Sequence, residues 1–286
     1  MLNRKIDNEI DAHFSNSKKA LFLTGARQVG KTYSIRKYAK LHGLNLIEFN
    51  FLLQPEAMDI INGAGDVKEL LLRISAYSRV PLVRSKTLIF FDEVQECPDV
   101  MTWVKALVDE GSYIYALSGS LLGVELKDIR SVPVGYMSEM QVYPMDFEEF
   151  VSAVGVPENV LDAVKKSWSE KTLVDAYIHE KMMQLFQLYI IVGGMPAAVQ
   201  TYIDSNNIQN VVKEQRDIIN LYKKDIARYD QDVRKKLYIN EVFDLIPSEL
   251  NAKNKRFILK RLNENMTFGR HENDFIWLKD ADMALP

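Results

Sequence analysis

Four short apolar runs punctuate the first 120 positions, and each is followed by a stretch of helical period or by a glycine-rich turn. Residues 20–24 (ALFLT) are unbroken enough to be a strand buried on both faces, and a glycine-bounded loop then leads into a helix from about Lys31 to Leu41. Residues 44–50 predict a second strand, 66–78 a helix, and 87–91 (TLIFF) a third, fully buried strand. Pro98 is placed to open a helix running to about Glu110, and 113–117 (YIYAL) a fourth strand ending in Ser118-Gly119-Ser120. Strands that alternate with helices in this way predict crossover units, hence an α/β fold with a parallel sheet flanked by helices.

Beyond Pro144 the strand-like runs disappear, and helical periods with charged faces continue to about residue 262. The sheet domain is expected to end near residue 152. Residues 182–203 lack charge for long enough to span a bilayer, but three glutamines and the break Gly193-Gly194-Met195-Pro196 predict two buried helices around a turn instead. The chain closes on WLKDADMALP, just after an amphipathic pattern, so it is expected to stop short of a further domain.

With 286 residues, 47% hydrophobic and 26% charged, the composition is that of a globular protein with two or three structural units. The start, MLNRKIDNEIDAHF, has neither the long apolar centre nor the small-residue cleavage site of a secretory signal. The one cysteine, Cys97, has no partner for an internal disulfide, so a reducing cytoplasm is the expected compartment. A net charge of -3 hides an asymmetry, because residues 211–270 hold 14 Lys+Arg against 9 Asp+Glu. That surplus suits a solvated helical face, or nucleic acid as a partner.

Chemistry enters at Gly25-Ala26-Arg27-Gln28-Val29-Gly30-Lys31-Thr32, a full match to GxxxxGK[ST] between a predicted strand and a predicted helix. Gly25 and Gly30 permit backbone angles that let successive N–H groups turn inward around phosphate oxygens, assisted by the positive end of the following helix. Lys31 supplies a point charge for the β- and γ-phosphates, and the Thr32 hydroxyl is a hard oxygen ligand for Mg²⁺. A second element follows the strand 88–91, where Asp92-Glu93 stand at the carboxyl edge of the sheet. There Asp92 can hold the metal shell and Glu93 can orient and polarise an attacking water. Together they predict a site for a nucleoside triphosphate with Mg²⁺, and hydrolysis as the favoured reaction. No NKxD or TKxD guanine-reading sequence occurs, which makes ATP the expected nucleotide. The four histidines and Cys97 are scattered, without metal-ligand or Cys-His catalytic spacing. Ser118 or Ser120, at the end of the fourth strand, is similar in place to the polar strand terminus that senses the γ-phosphate in additional-strand P-loop ATPases, which implies that role for one of them.

On these residues the chain resembles the bacterial and archaeal AAA-type P-loop ATPases that carry a poorly understood C-terminal domain. The resemblance spans almost all of it, through GARQVGKT (25–32), LIFFDEVQECPD (88–99), ALSGSLL (116–122), YPMDFEEF (143–150), VGGMP (192–196) and LYKKD (221–225). It implies an ATPase core over residues 1–152, a helical lid over 153–232 and a partial winged-helix segment over 233–286, with a nuclease-like domain missing beyond. It further implies that Pro196 contacts the nucleotide when the lid closes. The family shows Gly-Arg before its FEEF-like element, whereas this chain has Gly135-Tyr136, which leaves Arg27 and Arg130 as candidates for a trans-acting arginine. Three roles follow. The first is an ATP-driven switch. The second is a DNA-binding regulator that uses ATP structurally, supported by Lys253, Lys255, Arg256, Lys260 and Arg261. The third is a toxin-antitoxin or defence component acting through a protein partner.

Overall fold

The computed structural model describes residues 2–119, 135–229, 233–252 and 268–284. Strands β1 (Ala20–Thr24), β2 (Asn45–Asn50), β3 (Thr87–Asp92), β4 (Ile114–Ser118) and β5 (Met137–Gln141) form one sheet in the order β2-β3-β4-β1-β5, every neighbouring pair parallel. The helices of the same region are α1 (Lys5–Asn16), α2 (Lys31–Leu41), α3 (Met58–Asn62), α4 (Val67–Tyr77) and α5 (Val100–Glu110). Asp66 caps α4 by accepting from the Glu69 N–H at 2.8 Å. The four strands expected from their apolar runs are present, and all six residues of β3 are buried.

Alternation along the strands sorts their side chains to two faces. Phe22, Phe49, Phe91 and Leu117 pack on one face under α3, α4 and α5. Leu21, Leu23, Leu88, Phe90 and Ala116 pack on the other, under Ile6 and Ile10 of α1 and Ile35 of α2. Fully burying such a side chain contributes about 1.5–3 kcal/mol, which is why a sheet covered on both faces reads as continuous apolar runs. The second face is also covered by Ile218 and Tyr222, which come from a helix nearly 200 positions beyond β1.

That helix belongs to the C-terminal half, which is helical where described: α6 (Phe147–Ala153), α7 (Glu158–Glu170), α8 (Ala176–Val192), α9 (Pro196–Ser205), α10 (Ile208–Tyr229), α11 (Val233–Asn251) and α12 (Phe268–Asp280). The YPMDFEEF segment is a joint. Asp146 caps α6 through the Glu149 N–H, and Glu149 returns a bond to the Asp146 N–H at 3.0 Å, a reciprocal capping box. Phe150 is fully buried among α6, α8 and α9.

The expectation for residues 182–203 is corrected in one respect. Two helices do meet there, bent by 118°, and α9 buries Ala198 and Val199, but α8 is largely exposed: Met183, Phe186, Ile190 and Ile191 face solvent, and of its residues Val192 alone is buried. α8 meets α6 and, near its C-terminal end, α10, whose Gln215 donates to the Ile191 and Val192 carbonyls. No single helix among the described residues is long and apolar enough to cross a membrane.

The break itself is built from glycine. Gly193 ends α8 at φ 75, Pro196 begins α9 at its first turn, and between them the Gly194 carbonyl accepts from the Met145 N–H at 2.7 Å. A Cβ on Gly194 would lie 2.1 Å from the Met145 carbonyl oxygen. Gly194→Ala is therefore expected to force α6 and α9 apart and destabilise the chain by about 1–3 kcal/mol, as overpacking does. Thermal melting checks this, and an unshifted melting temperature would show that the contact relaxes without strain.

Candidate functional site

Parallel pairing brings the carboxyl ends of β1, β2, β3 and β4 to one edge of the sheet, and the polar residues there converge on one carboxylate. Asp92 pairs in register with Asn50, and β4, on the other side of β3, ends at Ser118. The Asp92 carboxylate accepts from Asn50 Nδ2 at 2.9 Å, from Thr32 Oγ1 at 3.0 Å and from the Ser118 hydroxyl. Burial pushes the Asp92 carboxyl above the usual range, and the Ser118 bond works against that shift.

The loop between β1 and α2 lies beside this cluster. Gly25 sits at φ 131, where a Cβ would meet the Val142 carbonyl oxygen at 2.2 Å, and Gly30 sits at φ 102 as the residue before α2. Gln28 is also left-handed, at φ 64. These angles curl the loop so that Lys31, 5% exposed, folds back over it: Nζ donates to the carbonyls of Gly25 at 2.6 Å and Ala26 at 2.8 Å. Burial pulls the Lys31 ammonium down to about 8, opposed by the charges of Glu93 and Asp92.

Glu93 follows directly on β3 at φ 57, ψ 51, a left-handed conformation that costs a non-glycine residue about 1–2 kcal/mol. Gln95 Nε2 donates to Glu93 Oε2 at 2.5 Å, which fixes the carboxylate beyond the end of the strand.

Two further groups hold the loop from outside. Arg4 donates through Nη1 to the Val29 carbonyl at 2.8 Å and through Nη2 to the Tyr143 carbonyl at 2.7 Å, while its Nε is paired with Glu149 at 3.0 Å. From α10, Tyr222 Oη donates to the Arg27 carbonyl at 3.0 Å, and Asp225 takes the Arg27 guanidinium in an ion pair at 2.5 Å. Arg27 thus points inward, 10% exposed at its side chain, and not outward as a trans-acting arginine would. Pro196 reaches the same loop, its Cγ 3.9 Å from where a Gly30 Cβ would stand. Beyond Ala26 lies a mostly apolar cavity of about 830 Å³, walled by Val142, Met195, Tyr222, Phe243 and Ile276 among others. Asp282, in the turn after α12, accepts from Gln141 Nε2 at 2.6 Å there.

The structure therefore brings together Gly25 to Thr32, Asp92, Glu93, Ser118 and Pro196. Ser120, Arg130 and the basic stretch containing Lys253, Lys255, Arg256, Lys260 and Arg261 lie outside the described residues. Sequence reasoning passed over Asn50 and Arg4, and met Tyr222 and Asp225 only as members of the LYKKD segment, with no role attached. Asn50 had a usable signal, a polar residue closing a strand next to the one that ends in Asp92. Among the described residues no group of three or more His, Cys, Asp or Glu is arranged to hold a metal ion.

Residues 17–151 match the model of an AAA domain, and residues 183–285 match that of a domain of unknown function. No curated protein matches the chain. Among solved structures it is similar to a Walker-type ATPase of Pyrococcus abyssi, at 15% identity and a TM-score of 0.56, covering 98% of this chain and 90% of that one. It is similar also to Drosophila ORC bound to DNA, at 13% identity and a TM-score of 0.43, covering 98% of this chain and 81% of that one. For AMPPCP-bound DnaA from Aquifex aeolicus the values are 12% and 0.41, covering 98% and 93%.

Proposed function

We propose that the chain binds ATP with Mg²⁺ in the loop 25–32 and hydrolyses it to drive a conformational switch, a reading supported by the match of residues 17–151 to the model of an AAA domain. The observation that carries this reading is the single hydrogen-bonded cluster in which Thr32, Asn50 and Ser118 meet on Asp92, beside the Lys31 loop. In it the N–H groups of Gly25 to Lys31 cradle the phosphates. Lys31 exchanges its bonds to the Gly25 and Ala26 carbonyls for the β- and γ-phosphates.

The donor set fits Mg²⁺, which takes one or two hard oxygen ligands from protein and completes its shell with water and phosphate. Thr32 Oγ1 and the Asp92 carboxylate, already 3.0 Å apart, would hold it. When bound, the ion neutralises charge that develops on the phosphate oxygens. Glu93 orients and polarises the attacking water, and Ser118, or Ser120 beyond it, senses the γ-phosphate. We assign residues 1–152 as the core, 153–232 as a lid that brings Pro196 to the nucleotide, and 233–286 as a winged-helix-like segment that the lid repositions.

A ligand that binds only the folded loop stabilises it by about 2.7 kcal/mol at a hundredfold excess over Kd. Mg-ATP is therefore expected to raise the melting temperature of the chain, and GTP to raise it less. No shift with either nucleotide at millimolar concentration would overturn the assignment. The basic surplus of residues 211–270 favours a second reading, a DNA-binding regulator that uses ATP as a structural ligand. Salt-dependent binding to duplex DNA without phosphate release would select it over the hydrolase.

A further inference from the structure

The loop that the ATP reading makes a phosphate cradle is gripped from α10 at one residue, Arg27, on both its backbone and its side chain. Tyr222 Oη donates to the Arg27 carbonyl at 3.0 Å, and Asp225 pairs with its guanidinium at 2.5 Å, with the side chains of Arg27 and Asp225 10% and 1% exposed. The two gripping residues are three apart on one helix, so they share a face, and that face is the one on which Ile218 and Tyr222 pack on the sheet. Lys223 on the same helix is paired with Asp244 of α11 at 2.7 Å, and Tyr222 meets the Phe243 ring edge-on with centroids 6.4 Å apart. The grip is therefore continuous with the packing of the C-terminal helices.

We propose that Tyr222 and Asp225 are positioning residues for nucleotide binding: they hold the peptide at Arg27 in the curled conformation whose N–H groups face phosphate, and they tie the shape of the cradle to the position of α10. This rests on the ATP reading of the loop. A fixed Arg27 carbonyl fixes the plane of the peptide that follows it, so the cradle is organised before the ligand arrives. Nucleotide binding, which tightens the same peptides, is in turn felt by α10 and, through Phe243 and Asp244, by α11.

The test is made on the full chain by measuring ATP affinity and single-turnover hydrolysis for wild type, Tyr222→Phe and Asp225→Asn, with Arg27→Ala and the double variant Arg27→Ala/Asp225→Ala completing a cycle. Tyr222→Phe keeps the ring in the core and removes one hydrogen bond, and is expected to weaken ATP binding about fivefold. Asp225→Asn removes the carboxylate charge paired with the buried Arg27 guanidinium and is expected to weaken binding tenfold or more. Hydrolysis at saturating ATP should stay within about twofold of wild type, because Glu93 is untouched. The double variant should bind ATP no worse than Arg27→Ala alone, the non-additivity expected of groups acting as a unit.

Should Asp225→Asn fail to fold, Tyr222→Phe decides. Wild-type affinity in a folded Tyr222→Phe protein, or additive losses in the cycle, would overturn the positioning role and leave the ATP site standing. A loss of turnover at saturation with affinity unchanged would also overturn it, since it would place these residues in the chemical step. Failure of wild type to bind ATP, with Lys31→Ala as the matched control, would instead sink the nucleotide reading itself.

Discussion

Glu93→Gln is expected to bind Mg-ATP with near-normal affinity and to hydrolyse it about 100-fold more slowly or worse, the usual contribution of a positioned general base. The geometry separates the two functions. Thr32 is hydrogen-bonded to Asp92 and Lys31 to the carbonyls of its own loop, whereas Glu93 stands one residue past the strand in a left-handed conformation, where its carboxylate accepts from Gln95. An amide of the same size keeps the packing and an oxygen for Gln95 to donate to, and loses only the basic oxygen pair. Phosphate release under single-turnover conditions, measured beside equilibrium binding, checks this. Equal background rates for wild type and Glu93→Gln would remove the hydrolase reading while leaving ATP binding intact, and would transfer support to the structural use of ATP.

How much of this was legible in the chain follows from where each signal resides. β1, β3 and β4 are interior strands of the parallel sheet, buried on both faces, and the apolar runs that announce them are the direct result. β5 was missed for the complementary reason: Met137–Gln141 (MSEMQ) is an edge strand that pairs with β1 alone and is half exposed, so its side chains carry no run and no clean alternation. The helices around the Gly193 break were found from their charge-free length, but length and composition do not say which side of α8 meets a neighbour. That depends on how α6 and α10 dock against it.

The site divides the same way. Gly25 to Thr32 and Asp92-Glu93 were legible because their chemistry is local: a strand end, a turn and a helix start, with every needed residue inside a few positions. Ser118 followed from its place at the end of an apolar run. Arg4 and Glu149, 145 positions apart, meet where the residue before α1 reaches α6, and Arg27 and Asp225, 198 apart, meet because α10 packs on the sheet face beside the loop. No spacing rule reaches across such distances. The FEEF and YKKD segments stood out by resemblance, and the structure supplies physical reasons for them: Glu149 accepts from Arg4 and from the Lys5 N–H, and Tyr222 and Asp225 grip the loop.

Lys31→Ala is expected to weaken Mg-ATP binding tenfold or more, since a hydrogen-bonded charged contact contributes about 1.5–3 kcal/mol. The same residue gives binding a pH dependence whose sign is fixed. Burial lowers the Lys31 ammonium to about 8 in the nucleotide-free loop, and only the protonated form offers charge to phosphate. Affinity should therefore be full below that value and fall as pH rises through it, because binding must then take up a proton. In Lys31→Ala this decline should vanish, leaving a weak and flat profile from pH 7 to pH 9.5. The variant is expected to stay folded, because it removes a buried charge that is hydrogen-bonded to two carbonyls of its own loop. Calorimetric titration of ATP into both proteins across that range tests the two expectations together. Unchanged affinity in folded Lys31→Ala, or wild-type and variant profiles that run parallel, would show that the ammonium does not reach the phosphates and that the loop is not their cradle.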